Sequence, residues 1–453
     1  MHFISLFVFL AVSITKVSPS KVMPPHVLTS NPYRQVFAQT NSSTHSTTPS
    51  MIQLSADPDF HFEILRCLTS APYGGSDVGE TLTAAAQTKP GDFESFYSAF
   101  FNLANRLYAH AQRIDPGRFP VSAREAMFRT ATFFRSADFY LHGNWSDPRI
   151  NSLWAQQAAA FDIGLALLPV PGKRVTIQAC GFQVPAIWYS GGIDAKRRPT
   201  IILGGGYDGG QEEVFHQMGR AAVERGWNVI TYEGPGQSEP RRYQNLGFIL
   251  EWEHVVTPVV DWLHSRPDVD TDKIALVGLS FGGLLAPRAA AFEHRLAAVI
   301  ALDGLYEFGP LFLEKFPTNL TTLYKAGDKT AFDTAVNAVR SNPASSTQLR
   351  WTIDQGLWAF NIPSPFDWMT TLQAYTLNEV VDKIRCPAFV ADAEDDLFFK
   401  GQGAILASKL GHNATYYQFM TADGAGGHAG IGAMVLQSQV VYDWFQNLID
   451  SKN

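Results

Sequence analysis

Residues 3 to 14, FISLFVFLAVSI, form an apolar run near the start of the chain, followed by Lys16 and the small-residue stretch Val17-Ser18-Pro19-Ser20. A bilayer span needs roughly 20 apolar residues, so this shorter run predicts a cleaved signal peptide over 1–20 rather than an anchor. Residues 21–56, with TNSSTHSTTPS at their centre, carry no sustained apolar period and predict a flexible leader. From 57 to 168 the period becomes helical. FESFYSAFFNLANRLYAHAQRI and SAREAMFRTATFFRSADFYL place aromatic and aliphatic residues three and four apart, which predicts a helical N-terminal domain whose aromatics serve as core.

After Pro169 the pattern changes to short β-type runs, RVTIQA, PTIILGG, NVITYEG, KIALVG, LAAVIALDG and PAFVADAE, with helical stretches such as EVFHQMGRAAVERG and GLLAPRAAAFEHR between them. Strands alternating with helices predict a doubly wound, mostly parallel sheet, built from 169–303 and 384–453. The segment between, 304–383, is too long for an ordinary crossover and predicts a helical cap or lid. Its aromatics, Tyr306, Phe308, Phe312, Phe316, Trp351, Trp358, Phe360, Phe366 and Trp368, suit either a bulky apolar substrate or the cap's own core.

Composition narrows the field. In 453 residues, 46% hydrophobic against 17% charged excludes a disordered or coiled-coil protein, and a net charge of −7 argues against a nucleic-acid binder. Cys67, Cys180 and Cys386 are too scattered for a disulfide scaffold or a zinc site, and the histidines show no HExxH spacing, so no metal or cofactor is expected. The N-x-[ST] triplets at Asn41, Asn144, Asn319 and Asn413 are glycosylation candidates and match a secreted or secretory-lumen protein. The expected partner is a small molecule, with no membrane insertion after signal removal and a homodimer as the candidate assembly.

Gly278-Leu279-Ser280-Phe281-Gly282 follows the apolar strand IALV and precedes a helical run, the strand, tight turn and helix that G-x-S-x-G requires to present a nucleophilic serine. Side chains two positions either side of Ser280 would collide with neighbouring backbone, hence the glycines. A serine hydroxyl needs a base and an orienting carboxylate, in the order serine, acid, histidine. Asp396 is the chosen acid, with Asp395 and Glu394 as alternates. His428, in the loop TADGAGGH, is the base, because His412 falls before the last strand run TYYQFM. The oxyanion donors are the Phe281 amide and, from the loop LGGGYDGG, the amide of Tyr207 or else Asp208. That loop fits neither nucleotide-binding glycine spacing, and its acidic neighbours Glu212 and Glu213 suit a phosphate poorly.

Together GRFPVSAREAMFRTATFFRSADFYLHG, ILGGGYDGGQEE, YEGPGQSEP, GLSFGG and GAGGHAG resemble α/β-hydrolases with a helical N-terminal domain. This group includes bacterial 2,6-dihydropseudooxynicotine hydrolase and fungal hydrolases that shorten polyketide chains in pigment pathways. The resemblance implies an α/β-hydrolase fold and hydrolysis of a carbon–carbon bond beside a carbonyl, carried by Ser280, Asp396 and His428. One departure is Gly427, where relatives tend to carry an acidic residue before the histidine. An ester substrate would share the same path to the tetrahedral intermediate. The competing readings are a cyclase or condensing enzyme using the same site without net hydrolysis, a non-catalytic binding protein, and a peptidase. The last lacks a propeller repeat to gate peptides.

Overall fold

The computed structural model describes residues 51–451; the signal-peptide expectation, most of the leader and Asn41 lie outside them. Five helices come first: α1 (Pro58–Thr69), α2 (Val78–Ala85), α3 (Phe93–Ala111), α4 (Pro120–Asp138) and α5 (Arg149–Ala166). Local chemistry sets their starts. Asp57 caps α1 by accepting from the Asp59 and Phe60 amides, Asp92 caps α3, and Pro120 opens α4 at a position where no amide is needed. Phe60, Phe96, Phe100, Phe133 and Phe134 are fully buried between α1, α3 and α4.

Eight strands follow: β1 (Lys173–Gln178), β2 (Gln183–Tyr189), β3 (Arg198–Gly204), β4 (Asn228–Tyr232), β5 (Val269–Leu279), β6 (Ala298–Leu302), β7 (Ala388–Ala393) and β8 (Ala414–Phe419). They form one sheet in the order β1-β2-β4-β3-β5-β6-β7-β8, antiparallel at β1/β2 and β2/β4 and parallel from β4 to β8. β4, β6 and β7 are buried at every position, which is why their sequences read as unbroken apolar runs rather than alternations. The runs above did not include β2. Pro185 argues against an interior strand, but it lies just past the last β4 pair, Ala186 opposite Tyr232, so its missing N–H interrupts no pair with β4.

Between β6 and β7, five helices (Gly309–Glu314, Thr318–Lys325, Lys329–Ser341, Thr347–Phe360 and Pro365–Leu372) stand over the strand ends. The base of this insert is pinned by Phe308 N–H donating to Tyr375 O and Leu377 N–H donating to Tyr306 O. All of its named aromatics except Phe366 are buried. The helical layer meets the cap through rings: Phe139 stacks on Trp351 at 4.8 Å and His142 on Trp358 at 4.0 Å.

A buried charge cluster joins the helical layer to the sheet. Arg66 of α1 makes a bidentate pair with Glu213 (2.5 and 2.7 Å) and reaches Asp208 at 2.6 Å. Arg135 of α4 pairs with Glu63, Asp208 and Glu213. Burial pushes the Glu63 carboxyl up to about 7 even though Arg135 and Arg66 pull it down. For Asp208 burial also pushes upward, but the two guanidinium groups win and hold it below the usual carboxylate range. Removing one member leaves the others uncompensated in low dielectric. Arg135→Ala is therefore expected to cost about 3–5 kcal/mol, read as a lowered urea midpoint at unchanged slope.

Candidate active site

Five chain turns converge at the carboxyl ends of parallel strands, the edge where open α/β sheets bind ligands. Gly205-Gly206-Tyr207 follows β3, Ser280 follows β5, Asp303 follows β6, Asp396 follows β7 and His428 follows β8. Ser280 has φ +59°, Asp303 φ +61° and Ala429 φ +55°. Left-handed conformations at non-glycine residues are costly, and three meeting in one place mark a spot the surrounding packing over-determines.

The glycines beside Ser280 answer to crowding. A Cβ at Gly278 would lie 2.0 Å from Gly282 O, one at Gly282 2.8 Å from Gly205 O, and one at Gly206 2.7 Å from both Leu279 O and Phe281 N. The β3 loop thus presses backbone to backbone on the serine turn. Its carbonyls are tied from behind: Gln237 Nε2 donates to Gly205 O (3.0 Å) and Gly206 O (3.1 Å), and Gln355 Nε2 to Tyr207 O (3.0 Å). Gly205, Gly206, Asp208 and Gly209 line the space over Ser280, whereas Tyr207 lines a neighbouring space with Arg135, Trp154 and Trp358. The Tyr207 ring packs edge-on to Phe281, Phe308 and Trp351, which fixes the loop from its side-chain end.

Ser280 Oγ lies 2.7 Å from His428 Nε2, and His428 Nδ1 lies 3.0 Å from both oxygens of Asp396. Asp396 Oδ1 also accepts from the Phe398 and Phe399 amides. The alternates point elsewhere: Glu394 accepts from the Thr421 amide, while Asp395 accepts from the Thr421 hydroxyl and pairs with Lys400 at 3.6 Å. His412 is exposed. A second acid was missed from the sequence. Asp303 Oδ2 lies 2.8 Å from His428 Nδ1 and accepts from the Ala429 amide. The only signal for it was the polar residue ending the run VIALD, which reads equally well as a strand terminus.

Burial alone would push the His428 imidazole down, but Asp396 and Asp303 outweigh it and raise it above the usual histidine range. Burial raises Asp303 in spite of His428, whereas Asp396 ends below its ordinary value because His428 and the two backbone amides outweigh its burial. The ligand atoms of Asp303, Asp396 and His428 lie within 4.8 Å of one another. Hydrogen bonds and ion pairing with the imidazole account for that spacing.

The cleft over Ser280 is small, about 50 Å³, and is walled by Phe62 and Arg66 of α1, Gly205, Gly206, Asp208 and Met434. Beyond His428 an adjoining chamber of about 320 Å³ is bounded by Met51, Phe62, Leu65, Leu397 and Ile431 and by the glycine loop. No cap aromatic lines either space. Of the two readings of the insert, cap core is the one the structure supports, while Phe62 of the helical layer faces the cleft. Gly427 has an ordinary φ of −79°, and a Cβ there would meet Ile431 Cγ2 at 2.9 Å and Ile431 O at 3.8 Å, so backbone conformation does not require a glycine here.

This sheet, turn and strand-end constellation define a class, and comparison with known proteins places the chain in it. Residues 201–441 match the Alpha/beta hydrolase family, and the protein belongs to that family. It is similar to the hydrolase acrC of Aspergillus aculeatus, 31% identical over 87% of this chain and 97% of the relative. It is also similar to 20-hydroxy-prefusarin hydrolase FUS2 of Gibberella moniliformis, 29% identical over 88% and 98%. Among solved structures, 2,6-dihydroxy-pseudo-oxynicotine hydrolase superposes with a TM-score of 0.67 at 19% identity, covering 85% of this chain and 97% of that one. The family resemblance read from the sequence holds, as does the fold it implied.

Two outcomes follow from the geometry. Gly206→Ala is expected to lower kcat by about 10²–10³, the loss typical of a spoiled oxyanion site, with an unchanged circular dichroism spectrum. Only unprotonated His428 can accept a proton, and its carboxylate neighbours stabilise the protonated form. The kcat/KM profile is therefore expected to rise with pH to a midpoint above the usual histidine value.

Proposed function

We propose that this protein is a serine hydrolase that cleaves a carbon–carbon bond beside a carbonyl, or an ester, in a bulky polyketide-like or aromatic substrate of secondary metabolism. The observation that carries this reading is the 2.7 Å contact between Ser280 Oγ and His428 Nε2 at a turn whose next amide, that of Phe281, faces a glycine loop. Ser280 attacks the carbonyl carbon as its proton passes to His428 Nε2. The oxyanion is held by the Phe281 and Tyr207 amides, and protonated His428 then delivers its proton to the departing alkoxide or enolate. Water attacks the acyl-serine by the same route in reverse. Asp396 keeps the imidazole in the tautomer with the proton on Nδ1.

The two spaces beside the histidine suggest how a substrate divides. The cleft over Ser280 takes only a few heavy atoms, whereas the apolar chamber reaches the lower end of the size of small-molecule pockets, about 300 Å³. A short acyl portion over the serine and a large apolar leaving group on the histidine side fit that division. The sequons at Asn144 and Asn319 are exposed and Asn413 is half-buried, which accords with glycosylation in a secretory compartment. No helix among the described residues is long and apolar enough to cross a membrane.

The test is mass spectrometry of products from aryl esters and aromatic 1,3-diketones incubated in ¹⁸O-labelled water with the parent protein and Ser280→Ala. Labelled acid formed only with Ser280 present is the expected result, and the panel member cleaved tells ester from carbon–carbon chemistry. A product that loses water or keeps its mass would replace hydrolysis with cyclisation. Turnover that survives Ser280→Ala would refute the serine mechanism.

A further inference from the structure

His428 is approached by more carboxylate than a serine hydrolase needs. Asp396, at the end of β7, faces Nδ1 with both oxygens at 3.0 Å, and Asp303, at the end of β6, faces the same nitrogen at 2.8 Å. Both are buried. They are anchored differently. Asp396 accepts from Phe398 and Phe399, amides of its own turn, whereas Asp303 accepts from Ala429, the residue directly after the histidine. Asp303 and Ala429 both hold left-handed backbones, φ +61° and +55°, at the two ends of that hydrogen bond. Such cost persists where it does something a relaxed loop would not.

We propose that Asp303 is a second positioning acid for His428, orienting the imidazole from β6 and sharing with Asp396 the stabilisation of its charged form. This rests on the reading of Ser280 as nucleophile. In the attack step the Ser280 Oγ–H bond breaks, the Oγ–carbon bond forms, the carbonyl π pair moves to oxygen and the proton goes to Nε2. The ring then carries one positive charge with its Nδ1 proton still in place, set against two carboxylates instead of one. Asp396 holds the ring to its own strand end, and Asp303 holds the loop that carries the ring, so either acid alone keeps Nε2 within reach of Oγ.

Other charges near the histidine come from two directions. Asp208 and Arg66 wall the far side of the cleft, and Lys315 of the cap donates to Leu397 O at 2.9 Å beside Asp396. Phe62, Phe398 and Phe399 pack against the ring within 6.0 Å and carry no charge. Among the described residues, Asp303 is therefore the one group besides Asp396 whose removal takes a negative charge directly from Nδ1.

The experiment measures kcat and KM against pH, from about pH 5 to 10, for the parent, Asp303→Asn, Asp396→Asn and Ser280→Ala on an aryl ester, with thermal melting of each. Asp303→Asn is expected to lower kcat with little change in KM and to move the acid limb of kcat/KM to lower pH by about one pH unit or more, the size of effect a carboxylate in contact exerts. A purely structural role would leave that limb in place, and a limb unmoved from the parent's overturns the proposal. Should Asp303→Asn melt too early to assay, Asp396→Asn decides: activity at least about tenfold above Ser280→Ala supports a second acid, and a fall to the Ser280→Ala level overturns it. Full activity of Ser280→Ala would instead remove the serine reading itself, a result separate from either of these.

Discussion

The arrangement depends on one close approach of backbone to backbone. Gly205 and Gly206, at the end of β3, press against the turn through Leu279, Ser280 and Phe281 so tightly that a single methyl group at Gly206, Gly278 or Gly282 would meet main-chain atoms at under 3 Å. Because these residues cannot hold themselves apart with side chains, their separation is set from outside. Gln237 and Gln355 draw the loop carbonyls outward, the Tyr207 ring is wedged among cap aromatics, and Arg66 and Arg135 fasten Asp208 to the helical layer. The helical layer, the cap and the β4 turn that carries Gln237 each hold a different atom of one short loop.

Much of this was legible in the sequence because it rests on local patterns. The buried strands β4, β6 and β7 read as apolar runs since both faces are covered, and the glycine spacing around Ser280 marks its turn since crowding there admits nothing else. Chain order led to His428 and to the run Glu394-Asp395-Asp396, within which only the geometry sets Asp396 against the imidazole. What escaped was decided by contacts between distant segments. Asp303 is one polar residue closing an apolar run, and nothing local tells whether its carboxylate turns to solvent or to an imidazole more than a hundred positions away. Gln237 and Gln355 act through backbone carbonyls and leave no pattern. The cap aromatics satisfy a substrate-lining reading and a core reading equally until the cleft is located, and then they fall away from it.

The electrostatics follow from where charge is buried rather than from how much is present. A net charge of −7 says little about this site. Two arginines and three carboxylates lie in the cluster behind the β3 loop, and two carboxylates with one histidine lie in front of it. In both places burial favours neutral acids and charged neighbours favour ions, and the balance differs residue by residue. Asp208 and Asp396 are held below the usual carboxylate range, whereas burial lifts Glu63 to about 7 and Asp303 only to about 6. Opposed tendencies in adjacent carboxyls are a usual source of acid and base roles at one site.

One contact joins the two ends of the described chain. Thr69 at the end of α1 accepts from the Gly432 amide, four residues beyond His428, at 2.6 Å, while Phe62 from the same helix faces the cleft. The first helix among the described residues therefore forms a wall of the cleft that is tied down by a segment 363 positions further along the chain. Ser280 likewise meets His428 across 148 positions of chain, so the wall and the serine turn wait on the same distant segment and close together.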